Sequence, residues 1–208
     1  MIALIMKDFA STRQSILLAG GLGVLISGYA ITRDFPLMIF LVSLMLPLIL
    51  NGIAVGYDSK ADFESFAFSM PIKRSHYVLS KYAFAMLFGV VGAVTLFAVL
   101  IFRAHLPIHT ALVPAVATLV VPVLFTAIQL PFMLKYGAER GRVFMVATYF
   151  LIFGGTSLLK AYITTDAIAR GMRFLSAPWA PWGILAVGVI LIVLLFRLAV
   201  RVAENKEY

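Results

Sequence analysis

The sequence predicts an all-α membrane protein with six transmembrane helices and both chain ends on the cytoplasmic side. Three observations carry this. Hydrophobic residues make up 62% of the 208, with a mean hydropathy of +1.03, against about 45–50% in soluble domains. Apolar stretches of membrane-crossing length alternate with short polar segments. Twelve of the 17 Lys and Arg fall on the side of the two ends and five on the other, and the richer side is cytoplasmic. The net charge of +8 is thus explained by span ends, and no nucleic-acid partner is expected. One membrane domain, 1–208, fills the chain. With no cysteines, a disulfide or thiolate metal site is excluded. Lys7 and Asp8 follow the first apolar residues with no small-residue cleavage site, so a cleavable signal is not expected.

Residues 1–14 come first. Ile2, Ile5, Met6 and Phe9 share one helical face, with Lys7, Arg13 and Gln14 elsewhere. That pattern suits a helix lying in the membrane interface; the alternative is a frayed tail. Span one, 15–31, is short and carries Gly20, Gly21, Gly23 and Gly28, which predicts close packing. Span two, 35–56, ends in Gly52 and Gly56 at GxxxG spacing. Span three, 82–102, has Ala85, Gly89 and Ala93 every fourth residue. Span four, 110–134, holds Pro114, Pro122 and Pro131, which imply bends. Span five is 143–159. Residues 160–181 are too polar to cross. Thr165 and Asp166 can start a helix there, with Ile168, Met172 and Leu175 on one face and Arg170 and Arg173 on another. The expected result is an extracellular amphipathic helix before span six, 182–196, with Trp179 and Trp182 at the interface.

The longest polar stretch, 57–82, separates spans two and three. Phe63, Phe66, Ala67 and Met70 follow i, i+3, i+4, i+7 along one helical face. Asp62, Glu64, Ser65 and Ser69 fall opposite. Pro71 disfavours helix at Met70 and suits the first turn of a second helix. That second helix carries Lys73, Arg74, His76 and Lys81 toward span three.

No charged residue is expected at mid-span, which argues against a proton relay or a buried ion-pair pump. His105 and His109 have Pro107 between them and no acidic partners, so no metal site is expected. Ser80 and Lys81 are adjacent and cannot face each other on a helix. Gly154-Gly155-Thr156-Ser157 has no partner histidine in any span. No catalytic residue is identified. There is no GxxxxGK[ST] loop, so any ATP is bound by another subunit. Asn51 and Gln129 each lie six residues inside a span end, about 9 Å deep at 1.5 Å per residue. They either bond across helices or line a polar vestibule. With Phe125, Phe132, Phe144, Tyr149 and Phe153 they form a candidate wall for a substrate path.

Two runs resemble the ABC-2 class of permeases, the membrane subunits of ATP-binding-cassette exporters. One is Lys7-Asp8-Phe9. The other is residues 66–82, FAFSMPIKRSHYVLSKY, similar to the class's "SLP, small apolar residue, basic pair, V-L-x-K-Y" run, with Met70 in place of the usual leucine. The resemblance covers the whole chain. It implies that Asp62, Phe63, Glu64, Phe66, Ala67, Met70, Lys73 and Arg74 belong to a coupling helix and its exit, seated on a separate ATPase. It implies two ATPase copies holding ATP and Mg, a second permease chain (identical or not), membrane lipid around the spans, and a bacterial-type cell membrane. Permeases of this class that export amphipathic peptides, the phenol-soluble modulins, are similar, so such peptides are the expected substrate. The alternatives are a membrane assembly factor, a receptor for a cytoplasmic partner, or a lipid-headgroup enzyme, for which no acid–base or metal cluster is found.

Overall fold

The computed structural model describes residues 2–33, 35, 37–61, 63, 66, 73–137, 143, 146–147, 150 and 177–205. Among these there are six long helices and no strand. They are α1 (Ile2–Ser11), α2 (Arg13–Thr32), α3 (Leu37–Lys60), α4 (Arg74–Phe102), α5 (Ile108–Tyr136) and α6 (Ala180–Glu204). Five of them, α2 to α6, are long and apolar enough to cross a membrane. Span five, apart from residues 143, 146–147 and 150, and the helix expected over 166–176 lie outside the described residues.

Local chemistry sets the helix ends. The α1–α2 joint is one residue, Thr12. Its N–H and its hydroxyl both donate to the Asp8 carbonyl, at 3.0 and 2.6 Å. Lys73 precedes α4 in an extended conformation. Pro107 does the same for α5, at φ −58° and ψ 145°. α5 ends at Gly137, whose φ of 86° and ψ of 162° only glycine adopts readily. Pro181 sits in the first turn of α6, where its missing N–H costs nothing. α5 stays helical through all three of its prolines.

Three helices run further than their apolar stretches. α3 continues to Lys60, α4 begins at Arg74, and α6 extends past Phe196 to Glu204. Half of the polar stretch 57–82, residues 57–60 and 74–82, is therefore helix continuing its neighbours, and residues 61–73 link α3 to α4. Polar side chains ended the apolar pattern there, but the backbone keeps its ladder because the packing continues.

α4 and α5 form the centre. α3 packs on both, α6 on α5 and also on α4, and α2 on α3 at the edge; α1 lies chiefly against α4. Lipid is as apolar as leucine, so association rests on close packing rather than on hydrophobic burial. Small residues supply it. An added Cβ at Gly92 would come within 2.5 Å of Ser43 Cβ, and one at Gly89 within 3.2 Å of the Leu119 carbonyl oxygen. Gly188 of α6 lies directly against Val120 of α5. Among the described residues, a Cβ added at Gly20, Gly21 or Gly28 of α2 would meet nothing within 4 Å, whereas one at Gly23 would meet Val42 and Leu46 of α3. Most of the expected close packing of span one is thus not made among the described residues.

Candidate functional site at the charged end of the bundle

The end of the bundle near the α3–α4 link holds a cluster built from α1, α3 and α4. α1 buries Leu4 and Asp8, and Thr12 follows at the same spacing. Ile2 and Met6 are exposed on its other side. On α3 the face Leu48, Asn51, Val55 and Asp58 is buried, spaced three or four residues apart as helical neighbours require. On α4, Tyr77 and Lys81 lie four residues apart and both are buried.

Asp58 is the hub. Its Oδ2 accepts from the Lys81 ammonium at 2.7 Å and from the Tyr77 hydroxyl at 3.0 Å. Its Oδ1 accepts from Lys7. Lys81 also donates to Asp8 Oδ1 at 2.7 Å, and Lys7 lies 3.1 Å from that same oxygen. Two ammonium and two carboxylate groups sum to zero charge. Neutrality is what makes such burial tolerable, since removing one partner of a buried pair strands the other. Phe9 completes the docking of α1, its ring 5.0 Å from Phe84 and 6.0 Å from Phe88. The triplet Lys7-Asp8-Phe9 is therefore the surface by which α1 is held.

A buried ion-pair cluster at the end of the bundle was not read from the sequence, whose expectation concerned charges at mid-span. Asp58 stood ahead of the first short helix read in the polar stretch, Lys81 on the second short helix leading into span three, and Asp8 in a helix read for its apolar face. A signal was present on α4. The stripe Ala85, Gly89 and Ala93, extended back in steps of four, reaches Lys81 and Tyr77. The Ser80 hydroxyl donates to the Tyr77 carbonyl at 2.7 Å while Lys81 faces the carboxylates, so these two form no dyad.

Asn51 lies next to the cluster. Its amide nitrogen donates to the Lys81 carbonyl and to Thr126 Oγ1, both at 3.2 Å, which joins α3 to α4 and α5. Gln129 is buried, Phe125 half-buried, and Phe132 partly exposed and stacked on Tyr136. Phe144, Tyr149 and Phe153 lie outside the described residues. A separate groove of about 470 Å³ opens between α4, α5 and α6, lined by side chains such as Tyr82, Met86, Leu119, Val123, Val189 and Phe196. Neither Phe125 nor Phe132, the described aromatic residues expected on a path, lines it.

The residues expected to couple divide. Phe63 is half-buried, packs on the core, and has the Lys7 ammonium 3.9 Å from its ring centroid. Phe66 is 58% exposed. Lys73 is exposed, and Arg74 turns inward to the carbonyls of Ala203 and Glu204 at the end of α6, the latter at 2.7 Å. Asp62, Glu64, Ala67 and Met70 lie outside the described residues. Among the described residues no three His, Asp or Glu side chains gather as metal ligands.

These features define a multi-pass helical membrane protein whose charged residues knit α1 to the ends of α3 and α4. A family model described as ABC-2 family transporter protein matches residues 3–200, and the chain belongs to that family. No curated protein and no solved structure matches it. Membership makes the chain a transport permease, a membrane component rather than a catalytic one, and implies association with an ABC ATPase.

Proposed function

We propose that the chain is the permease subunit of an ABC exporter and that its ATPase docks on the α3–α4 link, on the cytoplasmic side. The observation that carries this is Phe66, a large apolar side chain exposed on a charged end of the molecule. A protein groove that buries it gains roughly 1.5–3 kcal/mol. ATP and Mg are held by that partner. The transporter is read as two permease chains with two ATPases in a bacterial-type cell membrane. The open glycine face of α2 supports the pairing of permeases. The outward Ile2 and Met6 support an interfacial place for α1.

The substrate is an amphipathic peptide in this reading. The wholly apolar groove between α4, α5 and α6 supports it, because an amphipathic helix is recognised by laying its apolar face in such a groove.

The deciding experiment is co-purification with the ATPase. Phe66→Asp abolishes binding and ATPase stimulation while the permease keeps its Tm in detergent. A variant that binds and stimulates as the parent does rules this docking site out. A partner that binds but shows no rise in hydrolysis on assembly favours a receptor or assembly factor instead.

A further inference from the structure

The link between α3 and α4 meets a cation near each end, and each cation ties it to a distant part of the chain. Near its start, Phe63 lies under the Lys7 ammonium, 3.9 Å from ring centroid to Nζ. That same ammonium is shared with Asp58 and Asp8. Lys7 is the member of the cluster that reaches outward. Its side chain is 26% exposed, against 0 to 4% for Lys81, Asp8 and Asp58. It is also the member that balances the charge, since Lys81 alone cannot neutralise two carboxylates. A cation over an aromatic face is held by the ring's quadrupole, more strongly as water is excluded.

At the other end, Arg74 opens α4 and donates to the carbonyls of Ala203 and Glu204. These belong to the last turn of α6, where carbonyls lack helical partners and the helix dipole favours a cation. The link is thus attached to α1 at Phe63 and to α6 at Arg74.

We propose that Lys7 and Arg74 are positioning residues that strap the α3–α4 link to α1 and α6, the N-terminal and C-terminal helices described here. A force applied at Phe66, three residues from Phe63, then reaches α1 and α6 as well as the two helices the link joins. The use of the strap in coupling rests on the proposed function; the strap itself is a property of the isolated chain.

The sequence has no cysteine, so Phe66→Cys gives a single site for a nitroxide label in lipid nanodiscs without ATPase. That substitution also removes the Phe63–Phe66 ring contact, 6.4 Å between centroids, from every arm. The label reads motion on the ps–ns scale. The parent shows a slow-motion spectrum. Lys7→Gln, Phe63→Leu and Arg74→Gln each shift it toward fast motion, and Lys7→Arg, which keeps a cation over the ring, restores the parent spectrum. Phe63→Leu keeps all four charges and decides the matter if Lys7→Gln does not fold. A parent spectrum already in fast motion overturns the proposal. A shift with Lys7→Gln but not with Phe63→Leu also overturns it, assigning the effect to unbalanced charge. No shift with Arg74→Gln removes the attachment to α6. Loss or retention of ATPase binding in Phe66→Asp is a separate result and leaves this outcome unaffected.

Discussion

Helices α2 and α4 have the same kind of sequence and are held in opposite ways. Both are apolar, and both carry glycines at helical spacing. α4 is gripped along its length, by Asp58 and Asp8 at Lys81, by Leu119 at Gly89 and by Ser43 at Gly92. Among the described residues, α2 is gripped at Gly23, with Gly20, Gly21 and Gly28 left open. A glycine permits a close neighbour but does not supply one. On α4 the register is fixed by polar bonds near one end, and the small residues further along then meet their partners. α2 has no comparable buried anchor among the described bonds, and its glycines form a surface.

The largest test of this contrast is Lys81→Met. It leaves Asp8 and Asp58 with Lys7 alone, and a buried pair broken from one side costs about 3–5 kcal/mol. The Tm in detergent should fall sharply. Asp8→Asn added to Lys81→Met restores neutrality and should recover part of the loss, a non-additivity expected of contacting residues. An unchanged Tm for Lys81→Met would mean that the charges do not hold α4. Gly92→Leu comes next. It forces side chains against Ser43 and Thr118 and should cost about 1–3 kcal/mol, whereas Gly21→Leu on α2 should stay within about 0.5 kcal/mol. Equal shifts in Tm would erase the difference between the two helices.

Asn51→Leu is smaller. It removes one buried bridge from α3 to α4 and α5, worth about 1 kcal/mol between membrane helices, and differential scanning in micelles should register the drop. The smallest effect on stability belongs to Gly20→Leu and Gly28→Leu. They should leave the Tm alone and weaken association between permease chains, counted by single-molecule photobleaching in nanodiscs. An unaltered oligomeric state would assign the α2 face to lipid.

The spans were legible because their signal is local. A run of apolar residues long enough to cross a bilayer needs no knowledge of neighbours, and α2 through α6 were found on that basis. The charge cluster was not legible for the opposite reason. Its members at positions 7, 8, 58 and 81 come from three helices, and no periodicity within one helix joins them. Polar residues also hid the helix ends. Asp58 looked like loop, and Lys81 like part of a separate short helix, because a charge interrupts an apolar pattern, yet the two pair across helices that run on through them. Phe63 and Phe66 show a finer limit. Spacing put them on one face, but Lys7 and the core take Phe63 while Phe66 stays outward, a division set by partners from α1 and not by helical phase.

The two attachments of the α3–α4 link differ in when they can close. Synthesis delivers the N-terminal part first. Lys7, Asp8, Asp58, Tyr77 and Lys81 have all been made before any of α5 or α6, so the cluster can neutralise itself while only the first four helices exist. An ionised side chain waiting alone in lipid is expensive, and pairing at that stage avoids the wait. Arg74 must wait for Ala203, 129 residues further on. The nascent permease therefore fastens on the α1 side early and on the α6 side last, and a product truncated before α6 carries the first fastening without the second.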